Sequence, residues 1–193
     1  MTNNGLRIMP VTEAPWADLA TVFTTPGEAG ICFCQYYKVT EEQWDTFEPS
    51  QCSSRLKSQR ETKPGPGLIA YLGDEPVAWC GVESRVDTFR LFESPVVEAS
   101  THDAADRNVW AARCFIVREG YRNRGVGQEL VRAAIDHARA NGAHTLEAYP
   151  TDTAGETIDS GDLFRGTVGM FEGAGFEVLA RPVEGRALVS LSL

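Results

Sequence analysis

The sequence predicts an α/β fold, a mixed and mostly antiparallel central sheet flanked by helices. Three features carry that reading. A strand pair joined by turn residues spans 68–82. An apolar strand at 109–117 runs through a short turn into an amphipathic helix at 126–140 and on to another strand. A further pair of strands lies at 176–191. Strand, helix and strand in that order make a right-handed crossover between parallel neighbours, and the hairpins supply antiparallel ones. With 193 residues, 42% of them apolar, the chain can build one core without disulfide or metal staples.

Taken in order, residues 1–66 read as helical and irregular. Val11-Thr12-Glu13-Ala14-Pro15-Trp16 opens like a helix, with Thr12 as its N-cap. Trp16, Leu19, Ala20 and Phe23 follow at helical spacing until Pro26-Gly27 stops the run. Thr40 and Gln43 are spaced as a capping box. Lys63-Pro64-Gly65-Pro66-Gly67 breaks any helix. Strands at 68–72 and 77–82 flank Gly73-Asp74-Glu75-Pro76, and polar residues 84–106 form a loop with short structure. Residues 109–117 are apolar except for Arg113, which predicts a central buried strand. In the helix at 126–140, Gly127, Leu130, Val131, Ala134 and Ala138 form one stripe, and Asn141-Gly142 ends it. A strand at 144–149, a loop at 150–161, a glycine-weakened helix at 162–174, and strands at 176–181 and 187–191 complete the order.

Charge and cysteine content narrow the function. Lys plus Arg is 18 and Asp plus Glu is 27, a net charge of −9. Such a chain lacks the field that gathers nucleic acid or anionic lipid. No apolar run approaches the ~18 residues of a membrane span, and the first residues do not read as a secretory signal. Five cysteines, an odd number, point to reduced thiols and a cytoplasmic setting. Cys32-x-Cys34 is not a zinc spacing, and no metal site is expected. His102, His137 and His144 are scattered, and Trp16, Trp44, Trp79 and Trp110 read as core.

The informative stretch runs from Cys114 to Gln128. A buried strand enters a basic, glycine-containing turn that opens a helix. Free N–H groups and the positive dipole end of a helix make an anion site there. Gly125 and Gly127 let the backbone approach a ligand, and Arg118, Arg122 and Arg124 add charge. The pattern points to a phosphate or pyrophosphate; a solvated basic loop is the alternative. No Gly-Lys-Ser/Thr follows, so it is not a Walker A loop, and Leu130 replaces the third glycine of a dinucleotide fingerprint.

Arg122-x-x-Gly125-x-Gly127 after an apolar strand resembles the acetyl-CoA pyrophosphate loop of the GNAT superfamily of N-acetyltransferases. Met170-Phe171-Glu172-Gly173-Ala174-Gly175-Phe176 is similar to that family's late helix ending in Gly-Phe. The resemblance covers residues 68–191. It implies a single domain over 1–193, with 1–66 as variable first helices that shape the acceptor side and 68–193 as the acetyl-CoA-binding core. It implies a splayed strand whose backbone at Phe115, Ile116 and Val117 hydrogen-bonds the pantetheine arm. Arg122, Asn123, Arg124, Gly125, Val126 and Gly127 would hold the pyrophosphate, with Gln128 in the first helical turn and Phe171 beside the CoA arm. The reaction would be attack of a primary amine, on a small-molecule or peptide acceptor, on acetyl-CoA.

Two departures bear on the chemistry. Many members carry Tyr where this chain has Phe171, and Phe cannot protonate a leaving thiolate; Tyr149 and Tyr121 are the remaining phenols nearby. The strand carboxylate that often serves as base is missing from Ala111-Ala112-Arg113-Cys114. Glu147 is the main candidate in its place, unless it faces solvent or pairs with Arg113; Glu83 and Asp152 are weaker ones. A non-catalytic acyl-CoA-binding module is the rival reading. The net charge favours a cationic acceptor, such as a polyamine, an aminoglycoside or a Lys side chain. An edge strand such as 187–191 could pair between chains in a homodimer.

Overall fold

The computed structural model describes residues 5–24, 29–155 and 163–193. Seven strands form one sheet: β1 Leu6–Pro10, β2 Gly67–Leu72, β3 Glu75–Ser84, β4 Val109–Val117, β5 Thr145–Ala148, β6 Glu177–Val183 and β7 Arg186–Ser192. Their spatial order is β1-β2-β3-β4-β5-β7-β6. Every neighbouring pair is antiparallel except β4 and β5, which the helical crossover makes parallel. The apolar run of β4 sits mid-sheet with both faces covered, which is why it lacks the alternation of a half-exposed strand.

Seven α-helical segments accompany the sheet among the described residues: α1 Trp16–Val22, α2 Ala29–Cys32, α3 Glu41–Trp44, α4 Pro49–Gln59, α5 Pro95–Glu98, α6 Val126–Ala140 and α7 Val168–Glu172. Helices α6 and α7 cover one face. Val126, Leu130, Val131, Ala134, Ile135 and Ala138 of α6 are buried there against Cys80, Val82, Ala112 and Phe115. Helices α1 and α4 cover the other face, where Leu19, Val22 and Leu56 meet Trp79, Cys114 and Ile116. Each large apolar side chain removed from water contributes about 1.5–3 kcal/mol, so α6 is held mainly by its stripe.

The expected mixed sheet is present, and β4 and α6 have the boundaries read from the sequence. The capping box at α3 is formed, with Gln43 N–H donating to Thr40 Oγ1 and Thr40 N–H to Gln43 Oε1. Four expectations are corrected. Residues 6–10 form an edge strand, not helix. Helix α1 begins at Trp16 with Pro15, not Thr12, at its cap. The helix expected over 162–174 is confined to Val168–Glu172, because Gly166 adopts a φ of +72° and Thr167 caps the turn that follows. Strand 187–191 is interior, between β5 and β6, so β6 holds that edge. Pro26-Gly27 and part of the loop at 150–161 lie outside the described residues.

Candidate active site

The turn after β4 is built by local chemistry. Gly125 caps α6 with a φ of +79°, a left-handed conformation that costs an L side chain energy, and Asn123 is also left-handed at +58°. Glu129 N–H is the first to bond back into the turn, to Gly125 O at 3.3 Å. The first N–H groups of the helix, from Val126 to Gln128, therefore point out of its end with no intrahelical acceptor. Arg122 Nε donates to Val117 O at 2.9 Å, which ties the turn to the end of β4. Arg124 stacks over Tyr121, 5.7 Å from the ring centroid. The three arginines do not act alike, because Arg118 pairs with Glu75 at 2.7 Å and donates to Pro76 O. A Cβ on Gly127 would sit 3.1 Å from Met170 Sδ, so this glycine also lets α7 pack against α6.

Strand β4 outruns its parallel partner. Pairing with β5 covers Val109 to Ala112, leaving Arg113 to Val117 beyond it. The β4–β5 ladder thus ends just before the stretch where the family resemblance implies a splay. One group there is not free as expected. Phe115 N–H donates to Phe164 O at 2.6 Å, because Phe164, shortly before α7, lies against the strand edge and satisfies a buried donor. The Phe115 ring faces the other way, edge-on to Phe171, and Phe171 is also edge-on to Phe176. Phe171 is 0% exposed, so its ring serves the core beneath the opening.

Two buried carboxylates lie on the opposite face, one on each side of β4. Glu83 and Glu147 both register with Ala111, which places them two strand spacings apart, about 10 Å. Glu147 is 0% exposed and accepts from Arg85 Nη1 at 2.9 Å, Ser100 Oγ at 2.5 Å and Tyr149 Oη at 2.9 Å. Its partner is Arg85, not Arg113, and it does not face solvent. Burial first and the Glu147 charge second hold the Tyr149 phenol well above its ordinary value, so it keeps its proton. Glu147 and Tyr149 do come together, but in a closed network of four side chains.

Glu83 has different surroundings. It pairs with Lys38 at 2.7 Å and with Arg113, and it lines a cavity of about 520 Å³. Arg113 is the extra residue of a bulge, since Gly81 registers with Cys114 and Val82 with Ala112. Burial pulls the Lys38 amine below its usual range, and the Glu83 charge opposes it. Cys34 lies behind this cluster, with Trp79 Nε1 donating to its sulfur at 3.0 Å. Burial pushes that thiol up, but the Cys114 hydrogen bond and the Arg113 charge outweigh it and hold Cys34 below its ordinary value. Asp152, the other weak candidate, is partly exposed and bound to Arg181 at 2.5 Å. The sequence did not signal Lys38, Arg85 or Ser100. Arg113, a lone charge in an apolar strand, is the one residue that announced a buried carboxylate.

Residues 36–157 match the sequence model of the acetyltransferase (GNAT) family. No functionally curated protein matches the chain. Solved structures with the same fold include yncA from Salmonella typhimurium with its cofactor acetyl-CoA, at 14% identity and a TM-score of 0.59, covering 98% of this chain and 95% of that one. A GCN5-related N-acetyltransferase from Kribbella flavida is 16% identical with a TM-score of 0.57, over all of both chains. A ribosomal-protein-alanine N-acetyltransferase from Brucella melitensis is 16% identical with a TM-score of 0.57, covering 97% of this chain and 99% of that one.

Proposed function

Because the chain belongs to the GNAT acetyltransferase family, in which acetyl-CoA is the donor, we propose that it moves the acetyl group to a primary amine bound beside Glu83. The observation that supports this reading is the end of the β4–β5 pairing at Ala112, set along β4 between the glycine turn that starts α6 and a cavity lined by Glu83. Residues 122–128 hold the pyrophosphate, chiefly through the N–H groups at the start of α6, and the backbone at 115–117 receives the pantetheine arm. Phe164 O gives up the Phe115 N–H to that arm. Phe171 supports the arm from below through Phe115.

Helix α6 has 15 residues and spans about 22 Å, with the anion turn at one end and Asn141, on the cavity wall, just past the other. A donor anchored by phosphate at one end and reacting toward the other needs a long arm, which pantetheine supplies. The amine attacks the thioester carbonyl, the C–S bond breaks, and the thiolate takes up a proton. Glu83, rather than the sealed Glu147, accepts the proton lost by the ammonium, and the Glu147–Tyr149 pair positions β5. The acceptor is a small molecule or a peptide amine. Five free cysteines support a reducing, cytoplasmic setting.

Thiol release from acetyl-CoA, followed with a panel of amines, tests the proposal. Wild type turns over at least one amine, and Glu83→Gln lowers kcat by about 10²–10⁴ while acetyl-CoA still binds. A second reading rests on Phe171 and the sealed Tyr149, which leave no phenol at the usual place for a thiolate acid. Acetyl-CoA binding without release of thiol on any amine would establish that reading, a non-catalytic acyl-CoA-binding module.

A further inference from the structure

The cavity beside Glu83 is charged oppositely to the chain that contains it. Lys38, Arg55, Lys63 and Arg107 line it against two carboxylates, Glu83 and Asp87, in a protein of net charge −9. Both carboxylates are already matched, Asp87 by Arg107 at 3.0 Å and Glu83 by Lys38 at 2.7 Å. Two lining cations, Arg55 and Lys63, remain in surplus. Arg55 donates to neutral oxygens, Gln35 Oε1 and Lys38 O. Behind Glu83, Arg113 is 3% exposed and leaves Nε and Nη1 without a partner among the described residues.

We propose that this cavity binds an amine that also carries a carboxylate or phosphate group, so that the acceptor is an amino acid or an anionic amine and not a polycation. The inference rests on the reading that the acceptor enters beside Glu83. The ammonium faces Glu83 on the floor, and the anionic group faces Arg55, Lys63 and Arg107 on the rim. This reverses the preference drawn from net charge. Net charge sums the whole surface, whereas an acceptor responds to the field inside its own cleft. Polyamines and aminoglycosides would add cations to a cavity that already has too many.

The test uses matched acceptors: phenylalanine against phenethylamine, arginine against agmatine, lysine against cadaverine, and O-phosphoethanolamine against ethanolamine. Thiol release from acetyl-CoA is measured for each. At least one anion-bearing member should exceed its partner in kcat/KM by about twofold to fivefold, and Lys63→Glu with Arg107→Glu should remove that preference. The amino-acid and phosphoethanolamine arms separate carboxylate from phosphate recognition. Equal or better turnover of the partners that lack the anionic group would overturn the proposal, as would a preference unchanged by the double charge reversal. Calorimetry with phenylalanine and with O-phosphoethanolamine provides a readout free of catalysis. No binding of either, together with no turnover of any anion-bearing amine, also overturns it. Failure of the donor reading shows separately, as loss of acetyl-CoA binding by the folded wild type, and leaves these titrations readable without donor.

Discussion

Replacing Glu147 by Gln separates its two roles, a proton acceptor or a structural counter-charge. The wild-type carboxylate accepts three hydrogen bonds, from Arg85, Ser100 and Tyr149, and is 0% exposed. Arg85 is 1% exposed, with further bonds to Ser100 Oγ at 2.8 Å, His102 O at 3.2 Å and Asp103 O at 2.9 Å. The amide keeps one acceptor oxygen, turns an NH₂ donor toward three donors, and leaves a buried guanidinium without its charge partner. Removing one member of such a pair costs about 3–5 kcal/mol. At about 2–4 °C per kcal/mol for a chain of this size, the melting temperature should fall by roughly 6–20 °C. Against a typical stability of about 5–15 kcal/mol, much of the population stays folded at 25 °C and can be assayed. Urea denaturation gives the stability, and thiol release across pH gives the chemistry. We expect the stability loss with an unchanged pH profile per folded molecule, and Glu147→Leu with Arg85→Met should recover most of the loss. A variant within about 0.5 kcal/mol of wild type that has lost one limb of the pH profile would refute the structural role.

Other substitutions test the frame. Leu130→Ala, at a fully buried position on α6, should cost about 2–5 kcal/mol in urea denaturation without altering acceptor preference. His137 packs edge-on to Trp110 and its imidazole is held below its usual value by burial. The folded chain therefore binds that proton less readily than the unfolded chain. Its contribution is complete above about pH 6.5 and is lost as pH falls through the depressed folded value. His137→Gln should flatten the fall in melting temperature below that pH; slopes equal to wild type would contradict the assignment.

What the sequence disclosed follows the range of the forces involved. Helix α6 and strand β4 were legible because a stripe and a continuous apolar run are local patterns. Strand β1 was not, since Leu6-Arg7-Ile8-Met9-Pro10 is only five residues long and its partner strand β2 is distant in sequence, with Leu68, the partner of Pro10, 58 residues further on. The end of the 162–174 pattern was overridden by one glycine, Gly166, in a left-handed turn. The turn before α6 was legible for the same reason as α6, because Arg122, Gly125 and Gly127 lie within one segment. The carboxylate networks were not. Lys38 and Glu83 are separated by 45 residues, Glu83 and Arg113 by 30, and Arg85 and Glu147 by 62. Nothing local distinguishes the Glu that lines a cavity from the one that is sealed.

The account depends most on the turn at the start of α6, and calorimetric titration of acetyl-CoA tests it directly. Wild type should bind acetyl-CoA more tightly than ADP, because the pantetheine arm adds contacts along β4. Gly125→Val should lose most of that affinity, since a branched side chain at a φ of +79° costs about 1–2 kcal/mol and stands where phosphate approaches the helix end. Arg122→Ala should weaken binding less. A folded Gly125→Val protein that binds acetyl-CoA as wild type does would contradict the placement of the donor in this turn.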